Sequence, residues 1–292
     1  MSLKNTLSFI INHPLNREKK IKSIVNFIKW QIYIRLNPYP VICSFGEHSK
    51  LIVRKGMTGA TGNLYCGLHE FEDMSFVLHF LTDSDLFVDI GANVGSYTIL
   101  AGSEKNSQTI SIEPIPDTFE LLYQNVLINN IHENVKCFNI GLGANDGILK
   151  FTKSLDTTNH VASLSENDTV DVKIKKFDDF IKLDKITLVK MDVEGFETEV
   201  INGMCSALQN NNFKALIIEL NGSGNRYNYD EKVIHEKLVA HGFLPYLYLP
   251  FKREFAKLEK HGTNNTIYIR DLEFVTERVR NAQPFKINGK SV

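Results

Sequence analysis

The sequence predicts an α/β protein: a doubly wound, largely parallel sheet with helices on both faces, preceded by a helical and β-rich lead-in. Three observations carry this. Leu86–Asp89 is an apolar run that ends on an acid and meets Gly91 and Gly95, after which apolar residues return at helical spacing (Tyr97, Leu100, Ala101). A second run, Thr109–Ile112, ends on Glu113, roughly twenty residues on. The pattern of apolar run, terminal acid and turn recurs at Leu188–Asp192 and Ala215–Glu219. Strand-length apolar runs alternating with helical patterns are parallel strands joined by crossover helices, and ligands bind outside their carboxyl ends.

A chain of 292 residues can bury one large core plus a small appendage. Its net charge of −1 provides no field for nucleic acid. No apolar run reaches the roughly 18 residues of a membrane span, and the amino terminus lacks the pattern of a secretory signal. Cys43, Cys66, Cys137 and Cys205 are scattered without a C-x-x-C pair, against zinc and disulfide frameworks and for a reducing, cytoplasmic setting.

In chain order, residues 1–66 form the lead-in. Within 1–40, seven basic side chains face Glu18 alone, and Ile21, Ile24, Phe27, Ile28, Ile32 and Ile34 interleave with them at helical spacing. Such a helix packs on its own domain or on a second subunit of a homo-oligomer, the favoured use, or lies on an anionic membrane. Asn37-Pro38-Tyr39-Pro40 ends it. Short strands with turns are expected from Val41 to Tyr65, including the glycine-rich Gly56–Gly62. Acids at Glu70, Glu72 and Asp73 precede an apolar helix, Phe76–Leu81.

The stretch Asp89-Ile90-Gly91-Ala92-Asn93-Val94-Gly95-Ser96 admits three ligand readings. A dinucleotide fingerprint would need glycine at Asn93, and a P-loop would need lysine after Gly95. A nucleoside site without phosphate needs neither. There Asp89 accepts from an ammonium or hydroxyl, Gly91 and Gly95 let the ligand approach the backbone, and Glu113 accepts two ribose hydroxyls. That chemistry fits S-adenosylmethionine.

Together with Ile112-Glu113-Pro114 and Leu188-Val189-Lys190-Met191-Asp192-Val193-Glu194-Gly195-Phe196-Glu197, the stretch resembles the FkbM family of S-adenosylmethionine-dependent methyltransferases, from about Gly67 to about Arg270. The resemblance implies a Rossmann-like class I methyltransferase sheet with an antiparallel final strand pair. It implies S-adenosyl-L-homocysteine as product and cofactor contacts from Glu70 and Asn139. Residues 67–270 then make the methyltransferase domain and 271–292 a polar tail with a peripheral helix.

Other expectations come from the residues. Asp117–Glu120 reads as a capping box ahead of a helix that buries Leu121, Leu122, Val126 and Leu127. Gly141–Thr152 and Thr169–Ile174 alternate as a hairpin and its return. The loop Ser154–Asn167 borders the site and leaves His160 solvated. Lys190, Asp192 and Glu194 alternate, so an extended chain would place them on one side at a strand end. A helix follows over Glu197–Leu208, and Gly222–Gly224 reads as a loop. Asp192 is the candidate base, Lys190 the group that steadies a developing alkoxide, and Glu194 and Glu219 orient substrate hydroxyls. A divalent metal on Asp192, Glu219 and Asn221 is the less favoured arrangement. The expected reaction is O-methylation of a small-molecule or glycan hydroxyl. N-methylation of an amide or amine and a non-catalytic nucleoside-binding module are the alternatives.

Overall fold

A computed structural model describes residues 3–287 and 290–292. Residues 1–2 and 288–289 of the expected terminal segments lie outside the described residues. The lead-in comprises α1 (Leu3–Asn12), α2 (Lys20–Leu36), β1 (Val41–Ser44), β2 (Lys50–Val53) and α3 (Thr58–Cys66). Then come α4 (Phe71–Phe80), β3 (Leu86–Ile90), α5 (Ser96–Ile99), β4 (Gln108–Ile112), α6 (Pro116–Ile128) and β5 (Val135–Phe138). A side sheet follows in β6 (Gly141–Gly143), β7 (Gly147–Thr152) and β8 (Thr169–Lys176). The second half holds α7 (Phe177–Phe180), β9 (Thr187–Met191), α8 (Glu197–Asn202), β10 (Phe213–Glu219) and α9 (Glu231–Ala240). It ends with β11 (Leu244–Leu249), β12 (Glu254–Lys257), β13 (Asn265–Ile269), α10 (Leu272–Asn281), β14 (Lys286–Ile287) and β15 (Lys290–Ser291).

The eight-stranded main sheet runs β12-β11-β13-β10-β9-β3-β4-β5. Strands β5, β4, β3, β9 and β10 are parallel, and β13 lies antiparallel between β10 and β11. This is the doubly wound sheet that the sequence predicts, with the antiparallel final pair that the family resemblance implies. Strand order reverses at β3, so the crevice opens at its carboxyl end.

Alternation explains why these strands read as unbroken apolar runs. Phe87, Leu188 and Ile217 enter one core, while Val88, Val189, Leu216 and Ile218 enter the core on the other face. Asp89, Lys190 and Glu219 follow the first set by two residues, so all three leave the sheet on one face. Register sets Asp89 opposite Lys190 and Lys190 opposite Ile217.

Several local expectations change. Gly59 and Gly62 belong to α3, not to a turn. A Cβ at Gly62 would run into the His69 ring, and one at Gly59 would press on the Asn93 side chain at 3.0 Å. Close packing uses these glycines. Helix α6 begins at Pro116 without a side-chain cap, since proline already fits the first helical position, and Leu127 is exposed. Helix α4 starts at Phe71, earlier than the apolar pattern suggested. Helix α8 stops at Asn202, and Ser223–Tyr227 is a 3-10 turn. Beyond Asp271 the chain is anchored: Val275 and Val279 of α10 are fully buried, and Arg278 pairs with buried Asp85 at 2.5 Å.

Candidate functional site

A cleft of about 890 Å³ opens at the carboxyl ends of β3, β4, β9 and β10. Its floor includes Asp89, Gly91, Asn93, Ser96, Glu113, Lys190, Asp192, Glu194 and Glu219, and Glu70 stands at its side. The volume lies within the usual range of small-molecule sites.

On the β3–β4 side, the carboxylates are held by the protein itself. Asp89 accepts from Thr98 Oγ1 at 2.7 Å, and Thr98 in turn meets Ser111 Oγ at 2.7 Å. Glu113 accepts from the Asn93 amide through one oxygen and the Ile115 amide through the other, each at 2.9 Å. Burial pushes the Asp89 carboxyl up to about 6 and the Glu113 carboxyl up to about 7, the hydrogen bonds working against that rise. Asn93 is left-handed at φ +51°, where a dinucleotide turn would have glycine, and its side chain accepts from the Val94 amide at 2.8 Å. Gly95 (φ +91°) caps α5, and Ser96 accepts from Asn63 of α3 at 2.9 Å. The lead-in therefore closes directly on the glycine turn. Asn139 takes another place: its amide donates to the Glu113 and Pro114 carbonyls at 2.8 and 3.0 Å, and the residue is exposed outside the cleft. It braces the loop that carries Glu113.

On the β9–β10 side, the strand ends at Met191, so the alternation argument stops there. Glu194 reaches the cluster through a left-handed turn (φ +53°) followed by Gly195 (φ +101°). Buried Glu197 ties this turn down, its Oε1 accepting from the Val193 amide at 3.0 Å. Carboxylate oxygens of Asp192, Glu194 and Glu219 can all lie within 4.8 Å of one another, the one such metal-capable group among the described residues. Asn221, on the loop after β10, is exposed, and its side chain accepts from the Ser223 amide at 2.9 Å.

Lys190 sits among these acids, 2% exposed, with Nζ 3.3 Å from Asp192 Oδ2 and 5.4 Å from the Tyr97 ring centre. Burial alone would lower its pKa. Asp192, Glu70, Glu219 and Asp89 outweigh burial and hold the ammonium above the ordinary lysine range. Burial, then the charge of Asp192, raises Glu194 to about 7 and Glu219 to about 8. Asp192 Oδ1 is buried, and among the described residues no backbone or basic side-chain donor reaches it; the neighbouring Glu219 carboxyl, raised in part by a side-chain hydrogen bond with Asp192, is the group that can donate to this carboxylate when protonated.

The two sides touch. A Cβ at Gly91 would run into the Asp192 carbonyl oxygen, so only glycine lets the β3 and β9 turns meet. A third group escaped sequence reasoning. Asn265 of β13 donates to Glu70 at 2.6 Å and to Asp73 at 3.1 Å, and lies opposite Glu219 in register. Nothing in its local sequence marks it; the antiparallel return of β13 brings it there. His160 is not solvated: it is buried, with Nδ1 2.8 Å from the Thr158 carbonyl and Nε2 3.1 Å from Glu166. It latches the loop whose Asp156–Asn159 portion lines the cleft.

Residues 89–245 match the family model described as Methyltransferase FkbM domain. The hexuronic acid methyltransferase AglP of Haloferax volcanii is 30% identical over 141 residues, 47% of this chain and 56% of that protein. Methyltransferase 1 of Beauveria bassiana is 30% identical over 148 residues, 42% of this chain and 59% of that protein. The chain thus spans under two thirds of the length of these curated relatives. Among solved structures, a precorrin-6y C5,15-methyltransferase of Geobacter metallireducens aligns at 14% identity and TM-score 0.40, over 75% of this chain and 93% of that one. The family match covers more than half of the chain and takes in the glycine turn, Glu113 and the Lys190–Glu194 cluster, and the protein belongs to the FkbM methyltransferase-domain family.

Proposed function

We propose that this protein transfers a methyl group from S-adenosylmethionine to a hydroxyl of an acidic sugar. The charge of the cleft supports the cofactor. Its floor carries Asp89, Glu113, Asp192, Glu194 and Glu219 against Lys190, with exposed Arg54 and Lys55 also lining it. Phosphates would be repelled there, whereas a sulfonium and an ammonium would be attracted. Glu113 would hold the ribose hydroxyls with the remaining lone pairs of its two oxygens, and Asp89 with the Gly91–Gly95 turn would face the amino-acid end. When bound, S-adenosylmethionine supplies a methyl group on a positively charged sulfur.

The observation that carries the acceptor reading is the buried Oδ1 of Asp192, which no backbone or basic side-chain donor among the described residues reaches. A buried acceptor without a donor is costly, and a hydroxyl entering the cleft would supply one. Oδ2 stays near Lys190, which fixes the carboxylate while Oδ1 accepts the hydroxyl hydrogen bond and then its proton. Lys190 Nζ steadies the negative charge that builds on the oxygen. A pure binding module would have no use for this second, desolvated cluster.

Arg54 and Lys55, both exposed, line the cleft and could meet a carboxylate. AglP is named for hexuronic acid. A hexuronic acid is therefore the proposed acceptor class. The test is incubation with methyl-labelled S-adenosylmethionine and a panel of neutral and uronic sugars, with products located by mass spectrometry. The expected product carries the methyl on a ring hydroxyl of the uronic acid. Methylation at nitrogen, or cofactor consumption with no sugar product across the panel, would contradict the proposal.

A further inference from the structure

We propose that the outer face of α2 seats this protein on an anionic membrane surface. The inner face of the helix is already occupied. Phe27 packs edge-on against Tyr65 of α3 with ring centres 5.0 Å apart, Gln31 donates to the Tyr65 hydroxyl at 2.9 Å, and Ser23 and Ile34 are buried. The helix is thus held without its outer face. That outer face is nevertheless apolar: Ile21, Val25, Ile28, Ile32 and Leu36 recur at steps of three and four residues, with Ile21 and Leu36 80% exposed and Ile32 56% exposed. A stripe of this kind is not the ordinary scatter of single surface hydrophobes. Tyr39 and Ile42 extend it beyond the helix end.

The charges say what covers it. At 100° per residue, Lys22 and Lys29 flank the stripe on one side and Arg35 on the other, all three exposed. The helix has no acid. Flexible basic side chains bordering an apolar stripe can reach lipid phosphates while the stripe enters the headgroup–acyl boundary. A second copy of the chain is the weaker partner, since stripe against stripe would bring three cations of each helix together with no carboxylate on either. The helix cannot span: among the described residues none is long and apolar enough to cross a membrane.

The consequence for the site is positional. Phe27, Trp30, Gln31 and Ile34 on the inner face line the outer part of the cleft. Docking would place that part within about one helix diameter, ~10 Å, of the headgroups, so an acceptor could be taken from the membrane surface.

The test is co-sedimentation of the full chain with phosphatidylcholine vesicles, with and without phosphatidylglycerol, at low and high salt. The wild type is expected to pellet with the anionic vesicles only, less so in high salt. Ile28→Asp/Ile32→Asp should weaken binding by about tenfold or more, and removing Lys22 and Lys29 by roughly fivefold per cation. Both variants should keep the wild-type melting temperature, because the substituted positions are exposed. Failure of wild type to pellet, equal pelleting by the Ile28→Asp/Ile32→Asp variant, or light scattering showing a dimer that this variant dissociates would each overturn the proposal.

Discussion

The two sides of the cleft use the same chemistry to opposite ends. On the β3–β4 side each carboxylate is engaged: Asp89 by a hydroxyl, Glu113 by two backbone amides. On the β9–β10 side three carboxylates crowd one lysine, one buried oxygen has no backbone or basic side-chain donor among the described residues, and Glu194 sits in a strained left-handed conformation. The first arrangement is complete before any ligand arrives and can act as a rigid template. The second is incomplete, and strain and unmet hydrogen bonds are tolerated where a ligand will resolve them. On the proposed function the first would hold the nucleoside and the second the acceptor, the pairing that methyl transfer between two substrates requires, since alignment supplies much of the rate.

Gly91 is where the two sides meet, and its substitution should have the largest effect on folding. Gly91→Ala must push apart the β3 and β9 turns and hold a side chain at φ +76°. A loss of about 3 kcal/mol or more is expected in urea unfolding. Stability within error of the wild type would remove the claim that the two sites are locked together.

Next comes Glu113. Truncation to alanine would strip the Asn93 and Ile115 amides of their acceptor, mixing a folding defect with a binding one. Glu113→Gln keeps one acceptor oxygen but turns its amide NH2 toward the other backbone N–H, so its melting temperature is measured beside its affinity. Its affinity for S-adenosylhomocysteine should fall by about 1.5–3 kcal/mol in calorimetry. An unchanged affinity would move the ribose elsewhere.

The same residue sets a pH dependence. Its folded value of about 7 lies above the ordinary 4.5. Between those values the folded protein keeps a proton that the unfolded chain has lost, so this group's contribution to stability is full below pH 4.5 and is lost as pH rises to about 7. Ligand affinity runs the other way, because ribose hydroxyls need the carboxylate. Affinity for S-adenosylhomocysteine should fall by about tenfold per pH unit below 7, and a flat profile from pH 8 to pH 5 would exclude Glu113 as the titrating contact.

The smallest effect is expected at Glu194. Glu194→Gly relieves the left-handed backbone and one like charge, and should raise stability by about 1 kcal/mol. A loss of stability would mean that the Glu194 side chain braces the turn and is not held under strain.

What the sequence disclosed follows the same division. The β3–β4 side was legible because its parts lie on consecutive elements and their spacing is fixed by one strand–helix–strand unit. The acids at Asp192, Glu194 and Glu219 are legible as residues at or just past strand ends, but a left-handed turn, not an extended strand, delivers Glu194. Asn265 and the latching role of His160 were not legible, since both depend on contacts distant in sequence or on loop closure. The Gly59 and Gly62 pair misled because glycine serves close packing as readily as it serves turns. Helix α2 carried two apolar faces, and a sequence pattern alone could not say which one the fold would bury.

The central claim is that Asp192 Oδ1 receives the acceptor hydroxyl beside a cofactor held independently by Glu113. Asp192→Asn tests it most directly, with single-turnover methyl transfer and S-adenosylhomocysteine calorimetry on the same preparation. The variant should lose about 10²- to 10⁴-fold in transfer, with cofactor affinity retained and addition of a chelator without effect on the wild type. Full transfer by the folded Asp192→Asn protein, or loss of cofactor affinity in step with transfer, would contradict it.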